Sequence, residues 1–280
     1  MIKKILVPTD FSEYALNASK FAAFLAKKLD ARIYFLNSVT IPDYAVGSGP
    51  TRTKQDIAEG LFILKKIKMN FENLFSQDFL KGVNAVSAIQ YSGVYEDIIS
   101  QAEQHEIDLI VMGTHGSSGY LNDFFIGSNT DKIVRLSKIP VLTLREEIKN
   151  PQIKSIVFAS DFGDGIDESF KKVIDFAKVF DAKIEMVRVV TKNDFYYAGP
   201  MLDTMENFAS TNGLTNFDCH IWTSEDVQSG INEFAQKVDA DLVATATRGR
   251  RGLARLFNGS ITTDIMKSSP LPILTARIQH

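Results

Sequence analysis

Cysteine is almost missing from this 280-residue chain: Cys219 stands alone, so no internal disulfide can form and no cysteine cluster can hold a metal. No apolar run is long enough to cross a bilayer, which excludes a spanning helix as the basis of function. No block of like charge interrupts a formal net charge of −3, so neither a basic nucleic-acid arm nor an acidic tail is present, and general DNA binding is disfavoured. Met1-Ile2-Lys3-Lys4 runs straight into an apolar strand with no secretory h-region, and the chain reads as cytoplasmic. The phosphate loop G-x4-G-K-[ST], with its lysine for the outer phosphates of a nucleotide, is also missing. His105, His220 and His280 show no metal-ligand spacing with one another or with Cys219, so no structural metal is expected.

What the chain does have is one unit written twice. Ile5-Leu6-Val7-Pro8-Thr9-Asp10-Phe11 returns as Ile156-Val157-Phe158-Ala159-Ser160-Asp161-Phe162. Ile139-Pro140-Val141-Leu142-Thr143-Leu144-Arg145 returns as Leu271-Pro272-Ile273-Leu274-Thr275-Ala276-Arg277. Each half is long enough to bury its own core. The boundary is placed in the charged, proline-containing stretch 146–151, giving domains over 1–147 and 152–280.

Short apolar runs alternate with helical stripes, the pattern of strands joined by crossover helices in a doubly wound, parallel α/β sheet. Strands are predicted near Lys4–Pro8, Arg32–Asn37, Val86–Tyr91, Leu109–Gly113 and Val141–Leu144, and in the second half near Lys183–Val189 and Asp218–Trp222. Tyr14, Ala18, Phe21, Leu25 and Leu29 form the buried stripe of the first helix, repeated by Phe170, Ile174, Ala177 and Phe180. Lys65, Lys66 and Lys68 alternate with Leu64, Ile67 and Phe71 and read as a solvated helix face, while Pro42–Thr53 reads as a loop and Cys219 as facing the core.

The most informative stretch follows the buried run Leu109-Ile110-Val111. There Met112-Gly113-Thr114-His115-Gly116-Ser117-Ser118-Gly119 is closed by Gly127-Ser128-Asn129-Thr130. Glycines let the backbone turn and approach a ligand closely, and the N–H groups of such a loop and of the next helix can hold phosphate oxygens. The second copy runs from Leu242 through Thr245-Ala246-Thr247-Arg248-Gly249-Arg250-Arg251-Gly252 to Asn258-Gly259-Ser260-Ile261-Thr262. With strand order 3-2-1-4-5, Asp10 and Gly113 leave the two strands that flank the ligand crevice of an open parallel sheet. Asp10, Ser12, Ser128 and Ser260 also qualify as helix caps. His115 reads as a surface or ligand-edge residue, and nothing commits the chain to catalysis.

These residues resemble the universal stress proteins in their tandem, two-domain form. Gly113, Gly116, Gly127 and Ser128 match the elements G-x2-G and G-[ST] of the motif of nucleotide-binding members, and Asp10 matches its aspartate. The spacer from Ser117 to Ile126 is one residue longer than the family's, which calls for a bulge near Tyr120; in the second copy Ala246 and Arg248 replace the first glycine and the usual histidine.

The resemblance implies two Rossmann-like domains of the adenine nucleotide alpha hydrolase-like type, joined through their last strands as an internal pseudo-dimer, with a further homodimer left open. It implies a regulatory, stress-response module that binds ATP or AMP, with or without Mg2+. Pro8, Thr9, Asp10 and Ser38 would line the adenine and ribose end, Ser38 largely through its backbone. Met112, Gly113, His115 and Gly116 would continue the wall, and Gly127, Ser128, Asn129 and Thr130 would hold phosphates. The second set is Ala159, Ser160, Asp161, Val189, Thr245, Ala246, Arg248, Gly249, Gly259, Ser260, Ile261 and Thr262, in which arginines would supply charge. The competing readings are a scaffold with degenerate clefts and a slow metal-dependent ATP hydrolase.

Overall fold

The computed structural model describes residues 2–39, 54–115, 126–163, 165–192, 200–247 and 261–277. The first half runs β1 (Lys4–Pro8), α1 (Glu13–Leu29), β2 (Arg32–Ser38), α2 (Lys54–Phe75), β3 (Ala85–Gln90), α3 (Val94–Gln104), β4 (Leu109–Gly113), α4 (Ser128–Leu136) and β5 (Val141–Leu144). The second runs β6 (Ser155–Ala159), α5 (Asp167–Phe180), β7 (Lys183–Val190), α6 (Met201–Thr211), β8 (Phe217–Thr223), α7 (Val227–Lys237), β9 (Leu242–Thr247), α8 (Ile261–Ser268) and β10 (Ile273–Arg277).

Among the described residues, ten strands form one sheet in the order β3-β2-β1-β4-β5-β10-β9-β6-β7-β8. Within each half the order is 3-2-1-4-5 and the pairing is parallel, as the alternation of short apolar runs with helical stripes predicts. Among the described residues the one antiparallel pairing joins the halves: Leu142 stands opposite Leu274, and Thr143 opposite Ile273. Thr275 Oγ1 reinforces this seam by donating to the Val141 carbonyl at 3.1 Å. Two short edge strands that would otherwise offer unpaired N–H and C=O groups thus satisfy one another.

Side chains of adjacent strand residues enter opposite faces, so one continuous apolar run feeds two cores. Ile5, Val7, Leu109 and Val111 pack with α1, α2, α5 and α6, where Phe21, Phe71 and Phe170 lie buried. Leu6, Ile110 and Met112 pack with α3, α4, α7 and α8 around Ile98, Ile133 and Phe234. The first-helix stripe is buried as read, except that Tyr14 is only partly covered; Lys65, Lys66 and Lys68 are exposed and Ile67 and Phe71 buried.

The repeat extends to backbone detail that no apolar pattern reveals. Asp108 Oδ2 accepts from the N–H groups of Lys3 and Lys4 at 2.7 and 2.9 Å, and Asp241 Oδ2 accepts from those of Lys154 and Ser155 at 2.7 and 3.1 Å. Each aspartate directly precedes a largely buried strand and ties off the start of the strand beside it. The non-glycine residues with positive φ among those described form three matched pairs, Phe11 with Phe162, Asp30 with Asp181, and Glu106 with Asp239. Two of these pairs end a helix or a helical turn, where a left-handed residue frees the chain to enter the next strand.

Candidate functional site

β1 and β4 are neighbours, with β2 beyond one and β5 beyond the other, so the chain winds away from them in opposite directions. Their carboxyl ends bound a crevice of the kind in which open α/β sheets hold ligands.

On the β1 side the chain makes a tight turn held by hydrogen bonds. Thr9 N–H donates to the Leu36 carbonyl at 2.8 Å, and Thr9 Oγ1 accepts from Phe11 N–H at 3.0 Å. Asp10 Oδ1 accepts from Ser12 N–H at 3.0 Å, while Ser12 Oγ accepts from Ala15 N–H at 3.3 Å and is the cap of α1. Of the two capping candidates Ser12 therefore caps the helix. Asp10 supports the turn and stays exposed at the crevice edge beside Pro8 and the buried Thr9. Asn37 Nδ2 donates to the Thr9 carbonyl at 2.7 Å and fixes the turn from behind.

On the β4 side, Gly113 is required by packing. A Cβ there would fall 2.9 Å from the Tyr14 backbone carbonyl carbon and oxygen, a separation that L side chains do not tolerate. Thr130 Oγ1 donates to the Gly113 carbonyl at 3.1 Å, and Gly127 N–H donates to the Thr114 carbonyl at 2.9 Å, so the start of α4 is pinned to the end of β4. The cap of α4 is Gly127 and no side chain caps it, which corrects the reading of Ser128 as a cap. Asp131 N–H makes the first intrahelical bond, to Gly127 at 3.0 Å. The N–H groups of Ser128, Asn129 and Thr130 precede that bond, at the positive end of the helix dipole. Thr130 is buried and its hydroxyl is committed, whereas Ser128 and Asn129 are more open to solvent.

Two wall residues differ from expectation. His115 is buried instead of lying at the surface: its Nδ1 is 2.9 Å from Thr114 Oγ1 and its ring lies 4.9 Å from that of Tyr14. Met112 is also buried, within the core shared by α3 and α4, so it offers the crevice backbone and little side chain. Gly116 and the spacer around Tyr120 lie outside the described residues, as does the whole of the Pro42–Thr53 loop reading.

The second half repeats the β1 turn with different chemistry behind it. Ser160 Oγ accepts from Phe162 N–H at 3.0 Å and Asp161 Oδ1 from Gly163 N–H at 3.2 Å. Arg188, at the place of Asn37, donates to the Asp161 carbonyl at 2.6 Å. Ala159 and Thr245 are buried, Ala246 is partly buried, and Thr245 Oγ1 lies 3.4 Å from Thr262 Oγ1. Ile261 opens α8. Arg248, Gly249, Gly259 and Ser260 lie outside the described residues.

Three polar residues that periodicity does not single out shape these sites: Asn37, Asp97 and Arg188. Asp97, on α3, is buried and accepts from Ser38 Oγ, from Ser92 N–H at 3.2 Å and from Gly93 N–H at 3.4 Å. Its only signal in sequence is a carboxylate beside the apolar Ile98 in a helix's first turns.

Strand pairing also brings Glu185, Asp218 and His220 together, with ligand atoms within 4.8 Å of one another, although His220 has no metal-ligand spacing in sequence. A cation is already built into this group. Lys183 Nζ lies 2.7 Å from Glu185 and 2.5 Å from Asp218, which raises the lysine's pKa and lowers that of Asp218 through their hydrogen bond. His220 Nε2 lies 2.8 Å from the buried Glu185. Cys219, half-buried beside them, has its thiol pushed up to about 11, by burial first and then by Glu206 and Asp218.

The model of the universal stress protein family matches residues 1–145 and again 152–277, so the chain belongs to that family and carries its domain twice. A universal stress protein of Synechocystis is 23% identical over 292 residues, covering 99% of this chain and all of its own. One from Methanocaldococcus jannaschii is 32% identical over 156 residues, 53% of this chain and 85% of the relative. The crystal structure of a universal stress protein from Archaeoglobus fulgidus matches 99% of this chain and 98% of its own with a TM-score of 0.71 at 18% identity, a likeness of fold. No helix among the described residues is long and apolar enough to cross a membrane.

Proposed function

We propose that the first half of this universal stress protein binds an adenine nucleotide, ATP or AMP, and that the chain is a regulatory binding module of the stress response. The observation that carries this reading is the junction of β4 with α4. Thr130 and Gly127 tether the start of α4 to the Gly113 and Thr114 carbonyls, which aims the N–H groups of Ser128, Asn129 and Thr130 at the crevice edge where Asp10 is exposed. A helix start held in this way suits phosphate oxygens. Asp10, across the crevice, suits a ribose hydroxyl or a Mg2+ ion carried in by the nucleotide. Chemistry on the phosphates is not part of the proposal: Asp10, which the hydrolase reading would use to hold a metal, is engaged with Ser12 in the β1 turn.

A different role is proposed for the second half. Ala246 adds a methyl where the first half has Gly113, and Val189 stands where it has Ser38. Both changes favour a cleft that has lost or altered its ligand, with the half retained as a structural partner. Domain limits of 1–147 and 152–280, a cytoplasmic location and a further homodimer complete the proposal.

The test is calorimetric titration of ATP and AMP, with and without Mg2+, into protein stripped of small molecules. One site per chain is expected, lost in Gly116→Val and weakened in Asp10→Ala, with Ala246→Gly unchanged. No heat from the stripped wild-type chain would leave the scaffold reading in its place.

A further inference from the structure

The two halves differ sharply at one matched place. Thr9 N–H bonds to the Leu36 carbonyl in the first half and Ser160 N–H to the Val187 carbonyl in the second, so Ser38 and Val189, two residues on, are equivalent. The first helical N–H of α3 is that of Asp97, bonded to Gly93, and that of α7 is Gly230, bonded to Asp226. Where the first half sets Asp97 against Ser38 and Ser92, the second sets Gly230 against Val189 and Ser224: a Cβ on Gly230 would fall 2.5 Å from Val189 Cγ1 and 2.9 Å from Ser224 Cβ. One half has a hydroxyl backed by a buried carboxylate. The other has a valine with no room behind it.

This pair determines what Ser38 can offer a ligand. Asp97 accepts the only proton Ser38 has, and the same carboxylate also accepts from the N–H groups of Ser92 and Gly93. Ser38 Oγ is left with lone pairs and nothing to donate. It is partly exposed at the carboxyl end of β2, on the sheet face that carries Leu36, Ile98 and α4. A group that meets it must bring a hydrogen, because an oxygen would face an acceptor with a carboxylate behind it.

Resting on the reading of the first cleft as an adenine-nucleotide site, we infer that Ser38 and Asp97 form its base-specificity determinant, selecting 6-amino purines over 6-oxo purines. Ser38 is the contact and Asp97 the positioning residue that fixes the direction of its hydrogen. The second half, with Val189 and Gly230, has no such filter.

ATP and ITP differ at the 6-position and test this directly. Calorimetric titration of the whole chain is expected to give about a tenfold preference for ATP, the value of one hydrogen bond gained against one repulsion. Ser38→Ala should bring the two nucleotides within about twofold of each other, mainly by weakening ATP, while Ser38→Thr, which keeps the hydroxyl, should retain the preference. The double variant Ser38→Val with Asp97→Gly copies a pair that already packs in the second half, so it keeps the test open if single changes at Asp97 unfold the chain; it should bind both nucleotides alike. Equal binding of ATP and ITP by the wild-type chain, or a preference that survives Ser38→Ala, overturns the specificity inference alone. Binding of neither overturns the nucleotide reading, and the inference falls with it.

Discussion

Thr263 donates a hydrogen bond to Asp131 across the seam between the two repeats, Oγ1 to Oδ1 at 2.8 Å. Both residues sit in the first turn of the helix that follows their half's glycine segment, and Asp131 also pairs with Arg135 at 3.4 Å. Arg277 adds a bond to the Leu136 carbonyl at 2.8 Å, and Arg145 reaches the carbonyl of Lys267. The two helices that would carry phosphate sites are thus bonded to each other's half as well as to their own.

Thr263→Val keeps the shape of the side chain and leaves Asp131 without this donor. A partly buried charged acceptor losing one partner predicts a loss of about 1–2 kcal/mol, read as a lower thermal midpoint. Thr263→Ser should restore most of it. A valine variant as stable as the wild type would show that the bond from Thr263 to Asp131 adds nothing to the seam.

Gly113→Ala and Ala246→Gly probe one motif position in the two halves. The alanine Cβ meets the Tyr14 backbone at 2.9 Å, so Gly113→Ala is expected to cost about 1–3 kcal/mol through displacement of α1 from β4. Ala246→Gly removes a partly buried methyl and should cost about 1 kcal/mol or less. Chemical denaturation of both variants gives the comparison, and equal costs would argue against a packing role for Gly113.

Asp226 caps α7, accepting from Ser229 N–H at 2.9 Å and from its hydroxyl at 2.7 Å, and these bonds hold its carboxyl below the usual aspartate value. A lowered folded-state pKa contributes stability that is present above the unfolded value and lost as pH falls through the folded one. Asp226→Ala should therefore cost about 1 kcal/mol at neutral pH and progressively less below about pH 4. A cost that stays constant down to about pH 2 would contradict the assignment.

Cys219, with its thiol raised to about 11, is almost wholly protonated at neutral pH. The thiolate is the reactive form, so alkylation of the native chain should be far slower than that of the unfolded chain, and should accelerate only in strongly basic solution. Rapid labelling at neutral pH would show that burial at β8 does not govern this thiol.

Much of the architecture is legible in the residues themselves. Leu109–Gly113 and Val141–Leu144 stand out because a strand buried on both faces is apolar throughout and short, and the glycine and proline around them set their ends. The repeat adds a second reading of each landmark. What escapes is whatever depends on register between strands or on a helix laid against them. His115 reads as a loop residue, yet it is covered because α1 brings Tyr14 beside it. Asp97 reads as one more polar residue of an amphipathic helix until α3 brings it onto the end of β2. Ser128 looks like a cap, but the chain enters α4 through Gly127, whose own N–H is bonded to the residue that follows β4.

The antiparallel join of β5 to β10 has a geometric consequence for signalling. Every strand of one half runs against every strand of the other, so the two crevices open on opposite long margins of the shared sheet. A molecule bound in one crevice would have no contact with the other. If the first crevice alone holds a nucleotide, as proposed, a partner docked along the other margin can respond to it only through the central strands and the helices bonded across them.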